Sequence, residues 1–253
     1  MKIAVITAFW GRFPTVKVVL EHLVEQRHRL VDTVNLIPLT IGSEGSRSRE
    51  LAESCGAAYV EFPNEPLGNK WQYGLTCART LDPDAVMTLG SDNMANDALF
   101  VQWVQALRDG IDYTGIYDHY QFNPHYWTLV HWPGYKGPRE GEPIGSGRCY
   151  SRELLSKLDW QLWDRELSNS LDYSATQHLK TVTHKDRFTC MRHTDLKHLG
   201  IKLHQTLSSP LQFENNVEHF DPRVLIDWFG TELGHKILDL KNHNPEEPYR
   251  PKA

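Results

Sequence analysis

What this chain has little of sets the first limits. Its 253 residues contain no apolar run near the roughly 20 that a membrane-spanning helix needs. It has four cysteines, Cys55, Cys77, Cys149 and Cys190, and no two form a C-x-x-C pair. That spacing excludes a zinc ribbon and a thioredoxin-type dithiol, and it reads as scattered thiols of a reducing compartment. There is no Lys/Arg block: 27 basic residues face 32 acidic ones, for a net charge of -5 and a pI near 6.2. Proteins that grip duplex nucleic acid by neutralising phosphates carry the opposite balance. The opening run Met1–Ile6 is apolar but lacks the length and cleavage site of a secretory leader, so a cytoplasmic setting is the expectation. No internal repeat is visible.

What is present is ordinary in bulk and informative in order. Hydrophobic residues make up 40% and charged ones 23%, which suits a water-soluble folded domain. The length suits one large α/β domain, expected over 1–240, with a proline-punctuated tail over 241–253. Eight Trp and ten Tyr serve either as core or as the lining of a sugar or base pocket.

The first half alternates two periodicities. Ile3–Ala8 is a continuous apolar run, as a strand buried on both faces requires. Pro14 suits a first helical turn, and Val16, Val19, Leu20, Leu23 and Val24 follow at helical spacing. Strands are expected at Val34–Ile41, Ala57–Phe62 and Asp84–Leu89. Helices are expected at Ser48–Cys55, Lys70–Thr80 and Asp97–Arg108. That order predicts a mostly parallel sheet with right-handed crossovers, flanked by helices. Farther on, Tyr113–Tyr120 and Tyr126–His131 read as strands, Pro133–Gly147 as a mobile Gly/Pro-rich loop, and Ser151–Leu158 and Tyr173–Leu179 as short helices.

Ligands of open α/β sheets bind beyond the carboxyl ends of the strands. Here those ends are residues 9–12, 42–46, 63–70 and 90–94, and all four carry polar residues or glycine. The last holds Leu89-Gly90-Ser91-Asp92-Asn93. A carboxylate at Asp92 can hold Mg2+ or Mn2+ against a diphosphate, or it can cap the helix starting near Asn96; spacing alone leaves both open.

Three segments in order, over roughly the first 95 residues, resemble family-2-like GT-A glycosyltransferases. They are the acidic turn Ile41-Gly42-Ser43-Glu44-Gly45-Ser46, the Asn-x-x-x-Gly segment Asn64-Glu65-Pro66-Leu67-Gly68 leading to Lys70, and Gly90-Ser91-Asp92 in the D-x-D slot. Residues 143–180 resemble that family more loosely. The resemblance implies a GT-A-type, Rossmann-like α/β fold, with a nucleotide-sugar-binding half over 1–95 and an acceptor-side half over 96–240. It also implies transfer of a sugar from a UDP- or similar nucleotide sugar to a hydroxyl, with inversion. The chain departs from the pattern at Gly90, which stands where the first D-x-D acid belongs.

The resemblance assigns roles residue by residue. Ala8, Phe9 and Arg12 approach the nucleotide. Phe9 or Trp10 stacks on the base or packs in the core. Arg12 pairs with a phosphate or lies in solvent. Glu44 accepts from the base N–H. Lys70 reaches a phosphate or ribose, or is a helix-surface lysine. Ser91 and Asp92 form the donor mouth, with Asp92 on the metal. Asp172, in Asn169-Ser170-Leu171-Asp172-Tyr173, stands where the catalytic acid belongs and is the candidate base for the attacking hydroxyl. Its other reading is a helix cap, and Asp164 and Glu166 are the reserves.

Thirteen histidines invite a metal reading. His193, His198 and His204 do not share a helix face, which argues against zinc, while His204 or His219 remains a candidate to complete the shell around Mn2+ or Mg2+. The acceptor is open: a saccharide, a lipid-linked sugar, a protein side chain or a modified DNA base, with the acidic balance opposing the last. Two other readings stand beside this one. A nucleotidyltransferase would want a Gly-rich loop after the first strand, which Phe9-Trp10-Gly11-Arg12 does not supply. A non-catalytic binding or scaffold protein of the same fold would explain Gly90.

Overall fold

The computed structural model describes residues 1–189, 194–203 and 217–242. In chain order its first elements are β1 (Lys2–Ala8), α1 (Phe13–Arg29), β2 (Asn35–Gly42), α2 (Ser46–Ser54), β3 (Ala58–Glu61), α3 (Leu67–Thr80), β4 (Ala85–Thr88), β5 (Asn93–Ala95) and α4 (Asp97–Arg108). Then come β6 (Tyr113–Ile116), β7 (His119–Asn123), β8 (Thr128–Trp132), β9 (Arg148–Ser151), α5 (Arg152–Lys157), α6 (Leu171–Leu179), β10 (Asp186–Thr189), β11 (His198–Ile201), β12 (Glu218–Phe220), α7 (Val224–Phe229) and α8 (Thr231–Asp239).

A seven-stranded sheet runs β10-β6-β9-β4-β1-β2-β3. Its β3-β2-β1-β4 part is parallel, β9 is antiparallel to both its neighbours, and β10 is parallel to β6. The sheet is therefore mostly parallel and flanked by helices, as the sequence predicts. Strand β1 explains why its run is unbroken: Ile3 and Val5 enter one core while Ala4, Ile6 and Ala8 enter the other. The first core takes α1, α4 and α8; the second takes α3, α5, α6, Trp160 and Trp163.

A second sheet, β12-β8-β7-β11-β5, sits beside the first core. The expected strand Tyr113–Tyr120 is in fact two, because the chain leaves the first sheet after Ile116 and enters the second at His119. One side of this second sheet is apolar, with Met94, Tyr120, Phe122, Leu129, Leu199 and Ile201 in the first core. The alternate positions of β7 and β11 are polar: His119 and Gln121 on one, His198 and, just past its end, Lys202 on the other.

Two further differences have local causes. Helix α4 is capped by Asn96, whose side chain accepts from the Leu99 N–H at 3.2 Å, so Asp92 is not the cap. The segment 133–147 is tied down at several points: the Ile144 N–H donates to the Ile116 carbonyl, and the buried Arg148 guanidinium donates to the carbonyls of Pro143 and Ile144. Cys55 and Cys149 are buried free thiols, Cys77 is half-buried, and Cys190 lies outside the described residues. No helix among the described residues is long and apolar enough to cross a membrane. Most of the 241–253 tail also lies outside the described residues.

Candidate functional site

Strand β1 has β2 on one side and β4 on the other, so the chain order reverses between β1 and β4. In open α/β sheets that reversal opens a crevice at the carboxyl ends. Gly11 and Arg12 turn the chain there with φ of 60° and 54°. The Arg12 side chain thereby crosses from the end of β1 to the end of β4. Its Nη2 donates to Ser91 Oγ at 2.9 Å and its Nη1 to Asp92 Oδ2 at 3.3 Å. Arg12, Ser91 and Asp92, separated by about 80 positions in sequence, thus meet at the mouth of the crevice.

The neighbouring predicted residues build the walls. Glu44 Oε1 accepts the Gly11 N–H at 2.8 Å and Glu44 Oε2 accepts the Ser48 hydroxyl at 2.9 Å, so this carboxylate fixes the turn that aims Arg12. Lys70 is buried rather than on a helix surface. Its Nζ donates to the Phe9 carbonyl at 2.6 Å, Ser43 Oγ at 2.7 Å and Asn64 Oδ1 at 3.1 Å. An ammonium has three protons. All three are spent on joining the loops after β1, β2 and β3, which corrects the expectation that Lys70 reaches a phosphate or ribose. Burial pushes the Lys70 ammonium down to about 7, against which Glu44 pulls it up.

Phe9 requires a second correction. Its ring is 2% exposed and packs edge-on to Phe13 within a cluster containing Val16, Leu20 and Cys55, so it offers no face to a base. Trp10 is the exposed ring of this turn. Ala8 ends β1 beside Ile41, with its methyl in the second core.

Asp92 carries the site's electrostatics. Its carboxylate takes not only Arg12 but also Lys202, whose Nζ lies 3.0 Å from Oδ2. Burial pushes the Asp92 carboxyl up, but Lys202 and Arg12 outweigh it and hold the group below the ordinary carboxylate range. Around Lys202 lie His119, His198 and Asn93. Burial, assisted by Lys202, lowers His198 to about 3 and His119 well below its usual value, so both are neutral at pH 7. Asn93 Nδ2, His119 Nδ1, Gln121 Oε1 and His198 Nδ1 find no hydrogen-bond partner among the described residues.

Asp172 stands at the start of α6, where Ser170 rather than Asp172 is the capping residue. The segment Gly145–Gly147 joins it to the mouth of β4. Thr88 Oγ1 donates to the Gly145 carbonyl at 2.9 Å and the Gly90 N–H donates to Ser146 Oγ at 3.0 Å. A Cβ at Gly145 would lie 3.1 Å from the Asp172 Cβ. Asp172 Oδ2 accepts from the Tyr135 hydroxyl and from Arg139 Nη2, each at 2.5 Å. Burial raises this carboxyl, but those two donors overcome it and keep Asp172 ionised below its ordinary value. The reserves lie farther out: Asp164 is bonded to Ser174 and paired with His178, and Glu166 is exposed.

The residues present do not fit a divalent cation at Asp92. Its Oδ2 already faces two fixed cations, and no group of three His, Cys, Asp or Glu among the described residues is placed to hold a metal. His219 is exposed on β12, His198 is buried against Ser146, and both His193 and His204 lie outside the described residues. Sequence reasoning missed Lys202, Tyr135, Arg139 and Arg148. Only the alternation His198-Leu199-Gly200-Ile201-Lys202 hinted that 198 and 202 share one side of a strand.

No protein-family model matches the chain, and no curated protein sequence does. Solved structures do resemble it. Residues 1–349 of S. aureus TarS match with a TM-score of 0.56 and 14% identity, over 94% of this chain and 69% of that one. The same TarS portion in complex with UDP-GlcNAc matches at 0.53 and 14%, over 96% and 72%. The mannosyltransferase PcManGT from Pyrobaculum calidifontis, in complex with GDP-Man and Mn2+, matches at 0.53 and 13%, over 95% and 72%. These likenesses establish the fold class: the architecture is of the GT-A type.

Proposed function

We propose that this chain is a glycosyltransferase that moves a sugar from a nucleoside-diphosphate sugar to a hydroxyl acceptor, with inversion. One observation carries the reading. Arg12, Ser91 and Asp92 converge at the strand-order reversal, and the Gly145–Gly147 segment links the Asp172 carboxylate to the same mouth. A UDP-sugar is the first donor to test and a GDP-sugar the second, since the similar structures hold UDP-GlcNAc and GDP-Man.

In this reading the turn at Gly11–Arg12 receives the nucleotide, and exposed Trp10 offers the stacking surface. Glu44 holds the turn and keeps a lone pair on each oxygen for a base N–H. Arg12 faces the diphosphate and offsets the negative charge that grows on it as the sugar leaves. Asp172 accepts the proton of the attacking hydroxyl. Its ion pair with Arg139 weakens it as a base, so the acceptor must loosen that pair on arrival. The unpartnered amide and imidazole atoms of Asn93, Gln121, His119 and His198 favour a polyhydroxylated acceptor or donor sugar beside Lys202.

The test is a donor screen: nucleotide sugars of each base are incubated with the protein, and slow release of nucleoside diphosphate is followed by chromatography. Release from one donor class supports the reading. If every donor stays intact and none binds, the non-catalytic alternative takes its place. That alternative draws on the Asp172–Arg139 pair, which closes the candidate base in the free protein.

A further inference from the structure

Lys202 is held where it stands by more than its side chain. The Ile201 N–H donates to the Asp92 carbonyl and the Lys202 N–H to the Phe122 carbonyl, both at 2.7 Å. The backbone leading into Lys202 is therefore fastened to the turn between β4 and β5 and to β7. Its side chain is 8% exposed and returns to Asp92 Oδ2, the same oxygen that Arg12 approaches. A surface lysine can swing away from an arriving ion; this one has little space to do so.

The charges follow from those contacts. Asp92 supplies one negative charge, while Arg12 and Lys202 supply two positive ones. His119 and His198 are neutral, so the cluster keeps one net positive charge beside the place where a diphosphate would lie. A second carboxylate, which would cancel that charge, would crowd the turn: a Cβ on residue 90 would fall 2.4 Å from Asn93 Oδ1 and 3.2 Å from Asp92 Oδ1. A divalent ion brought to Asp92 would meet two like charges and one carboxylate oxygen already engaged by both.

We infer that this chain binds the diphosphate of its nucleotide donor without a divalent cation, with the Lys202 ammonium and the Arg12 guanidinium in the metal's place. The inference rests on the donor reading above and goes beyond it by fixing how the diphosphate is held. Lys202 is then a donor-binding residue whose pairing with Asp92 keeps it aimed.

The test is calorimetric titration of the full chain with UDP and with GDP, in excess EDTA and in excess Mn2+. The inference expects one of the two to bind in EDTA within about threefold of its Mn2+ affinity. Lys202→Met should weaken binding in EDTA by about tenfold or more, with Lys202→Arg staying within a few-fold of the parent. Binding that needs Mn2+ overturns the inference and leaves the donor reading standing. So does a Lys202→Met protein that binds in EDTA as tightly as the parent. Absence of binding by either nucleotide in both media removes the donor reading itself. The EDTA comparison on the unaltered protein decides the matter even if Lys202→Met fails to fold.

Discussion

Gly90 and Asn93 are packed so closely that a side chain at residue 90 would displace the Asn93 amide. A Cβ there would meet Asn93 Oδ1 at 2.4 Å, while the Asn93 N–H donates to the Gly90 carbonyl at 2.9 Å. The chain's departure from D-x-D is thus part of how this turn closes. Gly90→Asp, which restores the motif on paper, should lower unfolding free energy by about 1–3 kcal/mol through crowding and an added half-buried charge. It should gain no stability from Mn2+. Urea denaturation with and without the ion checks this, and a parent-like stability that rises with Mn2+ would sink it.

Lys70 joins three loops through one ammonium. Removing it in Lys70→Met leaves the Phe9 carbonyl and Asn64 Oδ1 without their donor, at roughly 1–3 kcal/mol each. The loss should grow with pH. The folded state holds this group near 7, the unfolded chain near 10.5, so between those values the unfolded chain binds more protons and the folded protein gains stability as pH rises. The gap between parent and variant should widen from pH 7 to pH 9 in chemical denaturation. A constant gap would mean that Lys70 titrates normally.

Acid should act first through buried histidines. Burial holds His22 to about 4, while its Nε2 donates to the Ala95 carbonyl at 3.0 Å. Above 6.5 its contribution is complete; as pH falls from 6.5 toward 4 the unfolded chain takes up a proton that the folded one refuses, and stability is lost. At pH 5 this is on the order of 2 kcal/mol for His22. His22→Gln can still donate to Ala95 and should flatten the profile between pH 7 and pH 5. An unchanged slope would assign the acid sensitivity elsewhere.

Asp172 should separate binding from turnover. Asp172→Asn should leave nucleotide affinity within a few-fold and lower kcat by about a hundredfold or more, the usual scale of a lost general base. Arg139→Met removes the guanidinium that helps hold Asp172 ionised, so the acid limb of kcat/KM should move to higher pH. Parent-like turnover in Asp172→Asn would move the base to another residue.

The parallel half of the fold was legible because β1, β2 and β4 are buried on both faces over most of their length and are therefore mainly apolar, a pattern that survives without knowing the partners. The second sheet was not. Its strands are three to five residues long, and β11 pairs with β5 and β7 from about 80 to 105 positions away, a relation that no local window contains. The site divides the same way. Arg12, Ser91 and Asp92 follow from strand ends, and Asp172 from a motif's place in the chain. Lys202 follows from neither, because its importance comes from the strand it ends. Lys70 and Phe9 lie at loops the sequence points to, and helix phase and ring packing, which the sequence leaves open, turn both inward.

Two residues apart on α3, Lys70 and Gln72 both point inward to different loops. Gln72 Nε2 donates to the Trp160 carbonyl, and its Oε1 accepts from the N–H groups of Leu162 and Trp163, which begin the stretch leading to Asp172. One helix therefore sets the register of the loops after β1, β2 and β3 and of the stretch leading to Asp172 together. A single inserted residue between positions 70 and 72 would rotate one anchor by about 100° relative to the other. A shift of the loops held by Lys70 is thereby carried through α3 to the stretch held by Gln72.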